Sequence, residues 1–359
     1  MDARTHANTR ALTPNAAAPV DVCFVVLPET LLLDLAGPAE AFRLANQALA
    51  RQGRAPLWRL RYVGPDAQVR SSVGLQLAGL EPLPERFERP TWVFLLGRPG
   101  DAAAVVRDSR TWLTARDWLG RVLAPALADA DSADPALVDP APTEPTHGHR
   151  LLTVCSGALL AADAGLLSGR CTTTHHELLD DLARMAPAAR VLADRVFVDD
   201  GNLLSSAGVT AGIDLALHCI ARHAGEALAA EVAQVLVVFH RRGAGDPERS
   251  PLLAGRCHLH PALHRVQNAV GERPAEDWTL ERLAAEACVT PRHLGRLFAQ
   301  HVGCTPRDYV ERVRSAFMRE ALAAGWPLGQ ALELAGFRSD RQWRRARSRG
   351  APSAQAHAA

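Results

Sequence analysis

Two hydrophobic periodicities divide the chain. From residue 21 to about 240, short apolar runs alternate with stretches of helical spacing, and beyond that only the helical spacing continues. VCFVVL (22–27), TWVFLL (91–96) and RLLTV (150–154) read as buried strands, and WRLRYV (58–63) adds another. GPAEAFRLANQAL (37–49), SRTWLTARDWLGRVL (109–123) and HHELLDDLARMA (175–186) read as helices between them. DRVFVDDGNLLSSAG (194–208) has the form of a hairpin, followed by helices over 211–224 and 226–240. Strands alternating with helices predict an α/β domain with a mostly parallel, flavodoxin-like sheet covered on both faces.

Three stretches interrupt this pattern. Residues 1–20 are polar and rich in Ala and Pro, without the apolar core of a signal peptide, and read as a disordered tail. Residues 124–149 are rich in Pro, Ala and Asp and too long for an ordinary loop, so they read as a disordered insertion within the 21–240 domain. The Gly, Pro and Ser of 241–262 mark a linker to a third segment, 263–359. No run reaches the length and apolarity of a membrane span, so no membrane partner is expected.

Charge refines the picture. Every one of the 40 basic side chains is Arg; residues 263–359 hold 15 Arg against 10 acidic residues, a balance of +5, which leaves −4 of the overall +1 to the rest. A basic module on a mildly acidic body suits a polyanion partner. The seven Cys are scattered with no C-x-x-C spacing, so neither disulfides nor a zinc knuckle is expected, and a reducing cytoplasm is the simplest setting.

The basic module contains an internal duplication. Leu280, Leu283, Ala284 and Ala287 fall on one helical face, and Leu328, Ala331, Leu332 and Ala335 repeat that spacing. Val289 and Phe337 follow at equal distances, and then Thr290 and Ser339 stand as helix N-caps, the first with Pro291 behind it. Helix, tight turn and capped helix form a helix-turn-helix, whose second helix fits the DNA major groove. The second helices carry Arg292, His293 and Arg296 in one unit and Arg341, Arg344 and Arg345 in the other, side chains suited to phosphates and guanine edges. The intervening apolar stripe Val310, Val313, Phe317 and Ala321 predicts a helix holding the two units apart.

These residues closely resemble the AraC/XylS-type DNA-binding domain, in the Arg-His-Leu-x-Arg-Leu-Phe run at 292–298, the Gly-x-Thr-Pro-x-x-Tyr segment at 303–309 and AGFRSDRQWRRA at 335–346. The ending departs from that pattern: Arg347 stands where the family has Phe, and the second unit is expected to pack or bind less well.

In the first domain, TVCSGALL places Cys155 after a strand and before a helix, with Ser156 next, the order of a nucleophile elbow. A helix N-terminus lowers a thiol pKa, and His175 or Asp34 are candidate partners; the plainer reading of a Cys after an apolar strand is a small buried hydrophobe. The stretches 34–42, 154–176 and 198–220 resemble the ThiJ/PfpI superfamily, and specifically its GlxA-like regulators fused to AraC-type domains. The resemblance implies a small-molecule pocket at Asp34, Gly97, Arg98, Cys155, Ser156 and His175, with Cys155 at the elbow and Asp34 at the acidic position. Arg98 replaces a Gly of many relatives; it has two readings, a carboxylate ligand or a solvent-facing side chain, and solvent is favoured. CHLHPALH (257–264) groups Cys257, His258, His260 and His264, and is read as a helix start, so no metal and no cofactor are expected.

The expected function is a cytoplasmic, homodimeric transcription regulator whose first domain senses a small-molecule effector and whose second binds double-stranded DNA and acts with RNA polymerase, activating a catabolic operon. The alternative is a cysteine-dependent hydrolase or hydratase of the same superfamily.

Overall fold

The computed structural model describes residues 18–350 apart from 108, 132–147, 239–240, 245, 247, 249–255, 257, 259 and 324. The chain divides into two compact units, Met1–Glu248 and Arg249–Ala359.

The first unit is built on a seven-stranded sheet. Its strands are β1 (Val20–Val25), β2 (Trp58–Gly64), β3 (Glu81–Pro82), β4 (Thr91–Leu95), β5 (Arg150–Val154), β6 (Phe197–Asp200) and β7 (Leu203–Ser206), in the order β6-β7-β5-β4-β1-β2-β3. All neighbours are parallel except the β6–β7 hairpin. Side chains alternate between two cores: Val22, Phe24, Trp92, Phe94 and Leu152 point to one face, Cys23, Val25, Val93, Leu95 and Leu151 to the other. Both faces are covered, which is why the strands read as unbroken apolar runs. Helices α1 (Leu32–Arg51), α5 (Ala211–Ala224) and α6 (Glu226–Val235) close the first face. Helices α2 (Arg110–Trp118), α3 (Gly157–Asp163) and α4 (Leu179–Met185) close the second. Fully buried rings such as Trp92 and Phe94 each contribute roughly 1.5–3 kcal/mol of transfer free energy.

Three sequence expectations are corrected here. Helix α1 begins at Leu32 rather than at residue 37, and carries Pro38 inside it. Pro38 forfeits one intrahelical bond, but its turn is held against α5, where a Cβ on Gly212 would lie 3.3 Å from the Pro38 ring. The expected insertion at 124–149 is ordered over its first part: α2 continues through a π turn, Leu119–Leu123, into a helix Ala124–Asp131. Leu127 packs on the second core and its carbonyl accepts from Asn202, so the apolar periodicity runs past the point where composition suggested a break. The remainder of that stretch, 132–147, lies outside the described residues, as does 1–17 of the expected tail, whereas Val20 already belongs to β1. Arg242 and Asp246 of the expected linker bond to the first unit: the Arg242 guanidinium donates to the buried Asp214 at 2.6 Å and Val196 N–H donates to Asp246 O at 3.2 Å.

The second unit is all helical: α7 (Pro261–Glu272), α8 (Leu280–Ala287), α9 (Pro291–His301), α10 (Pro306–Ala323), α11 (Leu328–Ala335) and α12 (Asp340–Gly350). α7, α8, α9 and the first half of α10 share one small core around Leu283, Leu294, Phe298 and Tyr309. The second half of α10 joins α11 and α12 in another around Met318, Ala331 and Phe337. Phe317 touches both cores, so one helix carries both helix-turn-helix cores of the second unit.

Candidate functional site

The turns of the second unit explain the sequence duplication. Cys288 closes α8 in the left-handed conformation at φ 54°, and Gly336 closes α11 at φ 76°. Gly336 is required sterically as well, since a Cβ there would lie 2.6 Å from the Ala275 Cα. Thr290 and Ser339 both cap the following helix, accepting from the N–H groups of His293 (3.3 Å) and Gln342 (3.2 Å). The caps orient α9 so that Leu294, Leu297 and Phe298 face the core while Arg292 and Arg296 stand exposed. The Arg296 guanidinium donates to His293 Nδ1 at 3.2 Å, which groups the three on one face. On α12, Arg341, Arg344 and Arg345 are exposed, with Arg344 paired to Asp340 at 2.9 Å, and Trp343 and Ala346 pack inward. α12 is eleven residues long, the same as α9, and the side chain of Arg347 lies outside the described residues.

The first unit brings Asp34, Gly97 and Cys155 together at the ends of β4 and β5. Cys155 has φ 54°, the strained turn of a nucleophile elbow, held by its N–H donating to Ser206 O (3.1 Å) and its carbonyl accepting from Thr174 Oγ1 (2.8 Å). Gly157 permits the turn: a Cβ there would sit 2.2 Å from the Leu95 carbonyl oxygen. Gly97 lies between the side chains of Asp34 and Cys155, so that its own Cβ would meet Asp34 Oδ2 at 2.6 Å and Cys155 Cβ at 3.0 Å. Its N–H donates to Asp34 Oδ2 at 3.0 Å, while Asp34 Oδ1 is buried with no hydrogen-bond partner. Ser156 Oγ accepts from Arg98 N–H at 2.7 Å and donates to Arg98 O at 2.8 Å, which locks the two strand ends together.

Burial disfavours charge throughout this site. Burial pushes the Cys155 thiol up to about 12, with the nearby Asp34 carboxylate adding to the effect. Burial likewise pushes Asp34 up to about 7, against a smaller opposing effect of the Gly97 N–H. His175 is held below its ordinary value by burial and by the adjacent His176, and is therefore neutral at pH 7. Among the described residues no hydrogen bond joins His175 to Cys155 or Asp34; its Nδ1 instead accepts from Glu177 N–H at 3.4 Å. Burial thus favours the protonated thiol, and among the described residues no base is hydrogen-bonded to it. At neutral pH iodoacetamide is expected to label the exposed Cys288 at least about tenfold faster than Cys155, because only the thiolate reacts. Peptide mass spectrometry reads the two rates, and equal rates would show an activated thiol.

Arg98 fits neither expectation. It is only 6% exposed, and its guanidinium turns away from the elbow to donate to Val105 O at 2.9 Å and Glu29 at 3.2 Å, over the Trp112 ring. The buried cation is partnered by a carbonyl seven residues on and by Glu29, 69 residues back in the sequence, and only its backbone bonds to Ser156 of the elbow. The accessible rim belongs to His175 and to His176, whose ring stacks on it at 4.2 Å. Thr174, His176 and Glu248 were not singled out in the sequence; the TTTHH run was visible, but Glu248 arrives from a segment 72 residues beyond His176. Of the CHLHPALH group, Cys257 lies outside the described residues, and His264 Nε2 bonds to the His258 carbonyl at 2.7 Å.

Comparison with known proteins gives two family models, the DJ-1/PfpI family over residues 128–222 and a helix-turn-helix domain over residues 283–349. The chain is similar to the HTH-type transcriptional regulator GbdR of Pseudomonas aeruginosa, 28% identical over 86% of this chain and 75% of that protein. It is also similar to the HTH-type transcriptional regulator GlxA of Rhizobium meliloti, 31% identical over 49% of this chain and 54% of that protein. A shorter likeness, 47% identical over 18% of this chain and 27% of the other, is to an isonitrile hydratase of Pseudomonas putida.

Proposed function

The chain belongs to the GlxA-like regulators, a DJ-1/PfpI domain joined to an AraC-type helix-turn-helix domain, and from that premise we propose that it is a sequence-specific DNA-binding transcription regulator whose first unit senses a small molecule at the Asp34–Cys155 elbow. The observation that carries the DNA-binding part is the pair of capped, Arg-bearing helices built on the single helix α10. Two such helices about 34 Å apart enter successive major-groove segments on one face of a duplex. The sensing part is supported by the buried, unpartnered Asp34 Oδ1, a polar atom in want of a hydrogen-bond partner.

The hydratase or hydrolase reading loses support from the protonated thiol and from the missing bond between His175 and Cys155. Activation of a catabolic operon, action through RNA polymerase, a homodimer and a cytoplasmic site of work complete the proposal; they rest on the family resemblance, and the exposed apolar side chains Leu33, Val73 and Leu75 offer surface for a second copy. No helix among the described residues is long and apolar enough to cross a membrane.

The test is to sequence the genomic DNA fragments that the full chain retains. Recovery of one recurrent motif is expected, with affinity for it falling linearly in log–log terms as salt rises. Recovery without a motif, or affinity indifferent to salt, overturns the assignment.

A further inference from the structure

One constellation in the first unit lies at the rim of the elbow, shares His175 with the expected pocket, and adds two residues, His176 and Glu248, that the sensing assignment does not use. Among the described residues, His175, His176 and Glu248 are the group of potential metal ligands that converges, with one ligand atom from each within 4.8 Å of the others. Glu248 does not reach this position by chance flexibility. Its segment is pinned upstream by the Arg242 guanidinium on Asp214 and by Val196 N–H on Asp246 O. The Glu248 side chain is only 8% exposed, and Oε1 accepts from His176 N–H at 3.0 Å and lies 2.9 Å from His176 Nδ1. A carboxylate so deeply buried requires hydrogen-bond donors or a cation, and among the described residues its partner is His176 alone, through the backbone N–H and Nδ1.

We propose that His175, His176 and Glu248 form a binding site for a divalent transition-metal ion of the zinc class. Two imidazoles and one carboxylate are the donor set of zinc sites that keep a fourth position open. Tetrahedral coordination at about 2.0–2.1 Å sets ligand atoms roughly 3.4 Å apart, so small side-chain rotations close the present spacing. The ion takes the place of the hydrogen bond between His176 Nδ1 and Glu248; the proton displaced from Nδ1 moves to Nε2 of the neutral ring, or to solvent if Nε2 already carries one. His175 is free to turn toward it, since the Glu177 N–H bond holding its Nδ1 is long at 3.4 Å. The ion then ties the segment that ends the first unit to the turn that follows the elbow. This site stands independently of the DNA-binding assignment, which can fail without it.

The full chain, stripped with a chelator and titrated with Co2+ alone, tests the site. One tightly bound Co2+ per chain is expected, with the d–d absorption of a four- or five-coordinate ion, and Zn2+ should displace it. Glu248→Gln and His176→Gln should each weaken binding at least about tenfold while circular dichroism and melting stay those of a folded protein. If Glu248→Gln does not fold, His175→Gln, on a half-exposed turn, makes the same test. Absence of the absorption band overturns the proposal. So does a band that survives Glu248→Gln and His176→Gln together but is lost in His258→Gln with His264→Gln, which would put the ion at the other histidine group.

Discussion

Replacing Arg292 and Arg296 together by alanine should remove specific DNA binding while leaving the fold intact. Both side chains are exposed on α9, and the residues that anchor that helix, Leu294, Leu297 and Phe298, are untouched. A guanidinium reading a guanine edge contributes on the order of 1–3 kcal/mol, so the pair accounts for about 2–6 kcal/mol, at least a roughly thirty-fold loss. A gel-shift titration of the recovered motif at constant salt measures it. The dependence on salt divides the roles: a phosphate contact flattens the slope, whereas a base contact relaxes the sequence preference and leaves the slope unchanged. Affinity within twofold of the parent protein would move the interface away from α9. The same double substitution in α12, Arg341 with Arg345, then shows how much the second helix-turn-helix contributes.

Raising the pH from about 4 to about 8 should cost the first unit stability through one residue, Asp34. Its side chain is fully buried and its folded pKa is pushed from 3.8 to about 7 by burial. The folded state therefore holds the proton more tightly than the unfolded state. The stabilisation is complete below the unfolded value, and it is lost as pH rises through about 7, amounting to something on the order of 4 kcal/mol. Asp34→Asn keeps an acceptor for the Gly97 N–H and cannot ionise, so it should melt above the parent protein at pH 8 and lose that advantage at pH 5. Melting curves of both proteins at the two pH values provide the comparison. Parallel curves would mean that Asp34 is already ionised in the folded protein, and that the elbow is charged.

The second unit was largely legible in the sequence because helix-turn-helix chemistry is local. The caps Thr290 and Ser339, the apolar faces of α8 and α11, and the Arg of α9 and α12 all lie within a few turns of one another, so spacing reports structure directly. What spacing did not report there is Cys288 in the left-handed region, where a glycine would be the expected signal. The α/β unit was legible in its element order and less so at its boundaries. Helix α1 begins at Leu32, five residues before the expected start at 37, and the Pro- and Asp-rich composition after residue 123 concealed a helix that continues to Asp131.

The sequence by itself determined the two-part architecture, the strand–turn–helix around Cys155 and the basic faces, because each depends on neighbours in the chain. The state of the thiol, the burial of Arg98 and the meeting of Glu248 with His176 were decided only by the tertiary structure. Each depends on which distant groups exclude water from a side chain, and desolvation is a property of the packed interior with no period in the sequence.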